Sequence, residues 1–398
     1  MSDPEMVLRI AAKGDGVTSS GRHIRGAVPG DRIAADGAII PGPNRVDAPC
    51  RHFDKCGGCQ LQNANEAALI EFVTSRVLNA AQGQDIAAQE IMATHLSPPQ
   101  SRRRATLHGL RTQKGAVLGY RESGSHKIVD LSECPVLDPA LTALLPSLRH
   151  FISEHGGKGA VTIQMALSDQ GVDVSLGNIA LEGLEATEAA LDYARDNALA
   201  RLCIDQGYGP ETVWEPEPVT ITLSGVAVPM PSGAFLQATQ DAQQRLVADA
   251  SEWLEGAELI ADLFAGLGTF AFGLRSGRKV LGVEADRAAH LAFKSAAGRT
   301  GAGIHALHRD LFRNPLQPDE LNRFDAAVLD PPRAGARAQI EQIAQSELER
   351  VVYVSCNPSS WSRDAATLVN AAFRLERLRP VGQFRWSTHV ELISLFTR

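Results

Sequence analysis

Short apolar runs, each stopped by a polar or turn residue, recur through the C-terminal part of the chain. Leu259-Ile260-Ala261, Val280-Leu281-Gly282-Val283, Ala326-Ala327-Val328-Leu329 and Val351-Val352-Tyr353-Val354 read as buried strands, separated by Ala- and Arg-rich stretches of helical length. Strands alternating with helices predict an α/β, doubly wound Rossmann-like domain from 232 to 398. Upstream the pattern is looser. Glu66 to about Ala81 carries apolar residues at i, i+3 and i+4, which predicts a helix, whereas Ala116–Tyr120 and Ala160–Gln164 are strand-like. A central α+β, RNA-binding domain over 49–231 is expected. Residues 1–48 alternate briefly at Val7-Leu8-Arg9-Ile10 and are then broken by glycine and proline, as in a short or truncated β-barrel.

Composition narrows the class. A chain of 398 residues holds two to three domains, because single cores rarely grow past about 250–300 residues. No apolar run approaches the ~18 residues of a membrane span, and Met1-Ser2-Asp3-Pro4-Glu5 has no basic segment leading into an apolar one. A cytoplasmic protein without a membrane partner is expected, acting as a monomer. The net charge of −7 argues weakly against a nucleic-acid partner, but the local field decides, and Arg102, Arg103, Arg104, Arg111, Lys114 and Arg121 cluster. A solvated loop of charges is the alternative for that stretch. The six cysteines are expected to be ligands or catalysts rather than disulfides.

Candidate chemistry sits where the apolar runs stop. Val351–Val354 leads into Ser355-Cys356-Asn357-Pro358, Val328-Leu329 into Asp330-Pro331-Pro332-Arg333, and Thr388-His389-Val390-Glu391 opens the last strand. Open α/β sheets bind ligands beyond the carboxyl ends of their strands, so a thiol and two carboxylates would meet there. The loop Asp262-Leu263-Phe264-Ala265-Gly266-Leu267-Gly268-Thr269-Phe270 lies at the end of the first of these strands, with Glu284 ending the second. Gly266-x-Gly268-x-x-Ala271 also satisfies a dinucleotide fingerprint, so NAD and S-adenosylmethionine compete for it. Asp262 favours the second: a carboxylate suits a methionine ammonium and repels a pyrophosphate.

With Phe235-Leu236-Gln237, these motifs resemble the RNA 5-methyluridine (uracil-C5) methyltransferase family from about Cys50 to the C-terminus. The Ser-Cys-Asn-Pro and His-Val-Glu motifs at this separation carry the specificity. The resemblance implies S-adenosylmethionine as methyl donor and cofactor contacts at Gln237, Phe264, Thr269, Glu284, Asp310 and Asp330. The chemistry demands a nucleophile and a base. Uracil C5 is too electron-poor to attack a methyl sulfonium; a thiolate adding at C6 makes C5 an enolate carbon, and the C5 proton must afterwards be removed. Cys356 fits the nucleophile and Glu391 the base. Backbone N–H groups around Asn357 are expected to stabilise the thiolate. Two departures from the family pattern stand out: Thr239 replaces an asparagine, and Phe384-Arg385-Trp386-Ser387 replaces Phe-Pro-x-Thr. Arg385 could gain a phosphate contact, and Phe384 or Trp386 could stack on displaced bases.

Cys50, Cys56 and Cys59, with Cys134 distant and followed by Pro135, supply four thiols. Zinc usually takes two close Cys pairs and only one is present; a triad plus a remote cysteine suits a cubane cluster better, with zinc still open. The resemblance implies a [4Fe-4S] cluster, which the ribosomal branch of the family carries on this pattern, and hence 23S ribosomal RNA as substrate, with tRNA possible by the same chemistry. An NAD-linked iron–sulfur oxidoreductase would leave Cys356, Asp330 and Glu391 without roles. Retention of thiol, base and loop counts against a non-catalytic RNA-binding relic. Cys203, between Leu202 and Ile204, is expected in the core.

Overall fold

The computed structural model of the protein describes residues 4–179, 181–301 and 303–398. Its C-terminal sheet runs, in spatial order, through Ile304–His308, Lys279–Glu284, Leu259–Leu263, Ala326–Leu329, Arg350–Ser355, Glu391–Thr397 and Arg374–Gly382. The first five strands are parallel, and Glu391–Thr397 is antiparallel to both of its neighbours. The predicted runs are fully buried along Ala326–Leu329 and Val351–Val354, as strands covered on both faces must be. Helices Gln240–Trp253, Arg287–Thr300, Arg337–Gln345 and Pro358–Asn370 pack around this sheet. The doubly wound expectation holds. The order of strands reverses between Leu259–Leu263 and Ala326–Leu329, and the crevice at such a switch point is where a ligand has room.

The far edge of this sheet is completed by an upstream segment. Glu90–Ile91 and His95–Leu96 both pair in parallel with Arg374–Gly382. The predicted helix forms over Glu66–Gln82, capped by the Asn65 side chain accepting the Ala68 N–H, and buries Leu69, Phe72, Val73 and Val77 in the same core.

The central region is a six-stranded sheet in the order Pro210–Trp214, Arg201–Asp205, Gly171–Gly177, Val161–Ser168, Arg104–Thr112, Gly115–Gly119. Helices Leu145–His155 and Gly183–Asp196 join its own core of Leu107, Ile152, Ile163, Val174 and Leu202. Cys203 is fully buried here, as expected. The N-terminal segment is a five-stranded antiparallel sheet centred on Glu5–Ile10. Its core is small, with Val7, Ala27 and Ile33 buried together, and Asp31 accepts from the Val28 and Gly42 backbone and from Arg45 to hold its turns.

Candidate active site

The switch-point crevice is a cleft of about 680 Å³, within the usual size of a small-ligand site. Cys356, Glu391, Asp330, Phe264, Gly266 and Glu284 all line it. Sheet register explains the meeting of thiol and carboxylate. Ser355 pairs with Leu392 across antiparallel strands, so Cys356, one residue on, stands opposite Glu391. Asp330 ends the next strand over, its backbone N–H donating to Leu263 O at 3.3 Å.

The loop after Leu263 bends sharply to form the floor. Phe264 adopts a left-handed φ of 65°, a conformation costly for a bulky residue and common where a site constrains the backbone. Its ring meets Phe312 at 5.4 Å, so the two aromatics wall the cleft together. Gly268 (φ +89) is obligatory twice over, since a Cβ there would come within 2.5 Å of the buried Phe293 ring. Glu284 is held by backbone N–H groups, accepting from Gly266 at 2.8 Å and Asp286 at 2.6 Å.

Other predicted cofactor residues stand just behind the wall. Gln237 is buried and reaches the cleft only through Asp330, donating from Nε2 to Asp330 Oδ2 at 2.8 Å. Thr269 begins the helix Thr269–Leu274, and the Asp310 carboxylate accepts the Phe312 N–H at 2.9 Å, fixing the turn that presents Phe312. Asp262 is sealed below the floor. Oδ2 accepts the Ala271 N–H at 2.8 Å, Oδ1 has no partner, and burial pushes its pKa up to about 8. It is therefore set back from the position expected for a direct ammonium contact.

Burial sets the electrostatics. It raises the Cys356 thiol, and Glu391 and Asp330 push it further the same way, against weaker opposition from its own backbone N–H and Arg333. The expected depression by the helix start is outweighed, because those groups are engaged locally: Asn357 N–H donates to Ser355 Oγ at 3.2 Å and the Asn357 side chain accepts from Ser359. Glu391 is raised well above an ordinary carboxylate by burial and by Asp330, with Arg104 opposing, and its Oε2 has no hydrogen-bond partner. Asp330 is raised by burial despite the bond from Gln237.

The three consecutive arginines are not a solvated loop. Arg102 lies 5.0 Å from the Phe384 ring centroid, Arg103 donates to Gln237 O at 3.0 Å and Gln243 Oε1 at 2.6 Å, and Arg104 sits 4.8 Å over Phe235 while acting on Glu391. The two departures noted above also have structural accounts. Thr239 caps the helix Gln240–Trp253 and its hydroxyl meets Ser97 at 2.9 Å. Arg385 is committed inside the protein, to Ser97 O at 3.0 Å and Glu66 at 2.7 Å, so it does not offer a free fork to phosphate. Trp386 is buried in the core, which removes it as a base-stacking platform; Phe384 stays partly accessible beside His389.

Cys50, Cys56, Cys59 and Cys134 line one small pocket with Arg102 and Tyr120. Chain folding thus closes the long gap between residues 59 and 134. The thiols are free and raised by burial, Cys59 up to about 12, and each also feels its neighbours. Among the described residues, no three His, Cys, Asp or Glu side chains are grouped closely enough to clasp a single metal ion. Four thiols around one small pocket would suit a soft, positively charged iron–sulfur group, which would relieve the cost of ionising them.

Comparison with known proteins bears directly on the cleft. Residues 307–398, which include Asp330, Cys356 and Glu391, match the family model described as tRNA (Uracil-5-)-methyltransferase. An uncharacterized RNA methyltransferase of Zymomonas mobilis is 47% identical, over 98% of this chain and 99% of that protein. The 23S rRNA (uracil(1939)-C(5))-methyltransferase of Pectobacterium atrosepticum is 30% identical over 90% of this chain and 81% of its own. The chain belongs to the RNA uracil-5-methyltransferase family. The crystal structure of a Pyrococcus abyssi tRNA (uracil-54, C5)-methyltransferase in complex with S-adenosyl-L-homocysteine shares its fold, with a TM-score of 0.76 at 22% identity over 99% of this chain and 100% of that one. As a member of this family the protein is an S-adenosylmethionine-dependent RNA methyltransferase. No helix among its described residues is long and apolar enough to cross a membrane.

Sequence patterns passed over several residues that shape this uracil-methyltransferase cleft. Phe312 is a large apolar side chain in a polar loop, 48% exposed, and that exposure is invisible without the fold. Arg104 stood in the arginine cluster, but only its place at the start of Arg104–Thr112 turns it toward Glu391. Gln383, a lone amide after the apolar end of Arg374–Gly382, was the one signal available for a buried polar contact behind Gln237.

Proposed function

We propose that the protein methylates carbon 5 of a uridine in 23S ribosomal RNA through a covalent Cys356–C6 adduct, with Glu391 as the base that releases it. The observation that carries this reading is the placement of Cys356 opposite Glu391 on antiparallel strands, with Asp330 beside them in one cleft. The Cys356 thiolate adds to C6 of a uridine extruded from its stack, and the enolate so formed directs its electrons to C5. S-adenosylmethionine, held along Phe264, Glu284 and Asp330 with Gln237, Thr269 and Asp310 supporting that wall, supplies an electrophilic methyl group. C5 takes the methyl as the donor's S–CH3 bond breaks and S-adenosylhomocysteine is left, the Glu391 carboxylate accepts the C5 proton, and the C6–S bond breaks to return the thiolate. The upward shift of Glu391 makes it a stronger base than an exposed carboxylate. A cationic donor in the cleft would favour the ionised forms of Asp330 and Glu391 and offset the repulsion that raises Cys356.

We further propose that Cys50, Cys56, Cys59 and Cys134 hold a [4Fe-4S] cluster. Four thiols lining one pocket, three of them close in sequence and the fourth remote, supply the donor set such a group takes. When bound it would tie the segment around residues 50–59 to the central domain at Cys134, a structural duty, since methyl transfer moves no net electrons. The proposed division is 1–48, 49–231 and 232–398, corrected in that the helix Glu66–Gln82 and the strands at 90–96 join the C-terminal sheet and its core rather than the central one; the proposed compartment is the cytoplasm and the working unit a monomer. Nucleoside mass spectrometry on 23S and tRNA fractions from cells lacking the protein tests the substrate. Loss of 5-methyluridine from 23S, restored by wild type but not by Cys356→Ala, is expected. Loss from tRNA alone would reassign the substrate.

A further inference from the structure

Behind the cleft wall lies a chain of buried amides whose direction can be worked out from one end. The Ala238 backbone N–H can only donate, and it meets the Gln383 side chain at 2.9 Å. The Gln383 atom facing it must be the carbonyl oxygen. The Gln383 NH2 is then left to donate to Gln237, at 3.1 Å, so Gln237 must turn its own oxygen that way. That fixes the Gln237 NH2 toward Asp330 Oδ2 at 2.8 Å. Both glutamines are at most 3% exposed, so no bulk solvent is available to satisfy a flipped amide. Arg103 pins the Gln237 backbone from the other side through its carbonyl, at 3.0 Å.

We infer that Gln383 is a positioning residue that, through Gln237, makes Asp330 meet the uracil with one defined oxygen. Oδ2 always faces an N–H and stays an acceptor. Oδ1 is the oxygen left for the cleft, and any proton Asp330 carries resides there. Ionised, Oδ1 accepts the N3–H of a uracil imide; protonated, it presents a donor that clashes with that N–H. The relay thus ties recognition of the imide edge to the ionised form of Asp330. The other titratable groups facing Asp330 are Glu391, Asp262, Cys356 and Tyr353, all acids that offer it no positive charge, and burial favours its protonated form, so the Gln237 bond is the counterweight. This inference rests on the cleft being a uridine site.

The test is Gln383→Met, which fills similar volume but cannot donate. Gln237 is then free to turn its oxygen to Asp330 Oδ2, and the protonated carboxyl gains a partner it lacks in wild type. The acidic limb of kcat/KM for RNA methylation should move upward. The variant should lose ~3- to 10-fold below that limb and approach wild type above it, as expected for loss of the orientation of one hydrogen bond. A pH profile of unchanged shape, whether at full or uniformly lowered activity, would overturn the inference. Wild type forming no 5-methyluridine at any pH would instead sink the reading of the cleft. If Gln383→Met does not fold, wild type still decides. Its Gln237 side-chain NH2 resonances, identified by their loss in Gln237→Met, should shift as Asp330 titrates, and insensitivity across that range would overturn the relay.

Discussion

The cleft and the cysteine pocket are both buried clusters of acidic groups, and they solve the same electrostatic problem differently. In each, desolvation pushes thiols or carboxyls toward their neutral forms. The cleft is roomy, about 680 Å³, and its groups stand around space that a substrate enters and leaves. In the proposed cycle Cys356 and Glu391 both change charge, so their shifted protonation would be a working property. The cysteine pocket is much smaller, its four thiols lining it together with Tyr120, Arg102 and Glu133. The occupant proposed for it is a resident cationic group. Perturbed groups mark both places as candidate sites, and size separates them: the wide cleft suits a substrate that comes and goes, the small pocket a compact resident group.

The comparison breaks most visibly at Cys356. Cys356→Ala should lower methylation by on the order of 10⁴-fold or more and abolish covalent capture of RNA, with the melting temperature little changed. Retained activity, measured by methyl incorporation, would remove the thiol from the mechanism. Glu391→Gln is expected to cut turnover by roughly 10²- to 10⁴-fold and leave a denaturant-resistant RNA adduct. The same change should stabilise the free protein relative to wild type as pH rises through the raised Glu391 pKa, since an amide has no charge to bury. Denaturant titration checks the sign.

At the other cluster the effect should fall on stability rather than chemistry. Cys134→Ser is expected to discharge the brown absorbance of the cluster and to cost on the order of 2–5 kcal/mol, by loss of a cross-link between distant segments. A colourless wild type with stoichiometric zinc would contradict the cluster assignment. The smallest effect concerns Asp262. Its folded pKa, about 8, lies above the ordinary carboxylate value, so its contribution to stability is complete at acidic pH and is lost as pH rises toward 8. Asp262→Asn should therefore flatten the fall in melting temperature between about pH 5 and pH 8, by the equivalent of ~1 kcal/mol or more. An unchanged slope would mean that Asp262 is not a buried acid.

Much of the cleft was legible because chemistry and topology coincide in short segments. Strands that end at Asp330 and Cys356, and one that begins at Glu391, announce a site at the mouth of a sheet, and Gly266 and Gly268 mark the loop beneath it. What stayed hidden depends on contacts between distant segments. Glu90–Ile91 and His95–Leu96 are too short to show a strand period, yet they extend the C-terminal sheet. Arg103 and Arg104 read as surface charge because nothing local says that Gln237 and Glu391 await them. The helix start after Cys356 looked like a thiolate stabiliser, but Ser355 and Asn357 occupy its amides and the neighbouring carboxylates outweigh it. Signs of pKa shifts depend on burial, which a motif does not carry.

The central claim is that Cys356 bonds to the uracil ring while the methyl is transferred. A 23S transcript containing 5-fluorouridine, incubated with wild type and S-adenosylmethionine, tests it most directly, because Glu391 cannot remove fluorine from C5 and the adduct cannot resolve. Peptide mass spectrometry should then find Cys356 carrying a methylated fluorouridine. Methylation of the unsubstituted transcript, with Cys356 unmodified in the fluorinated reaction, would contradict the account.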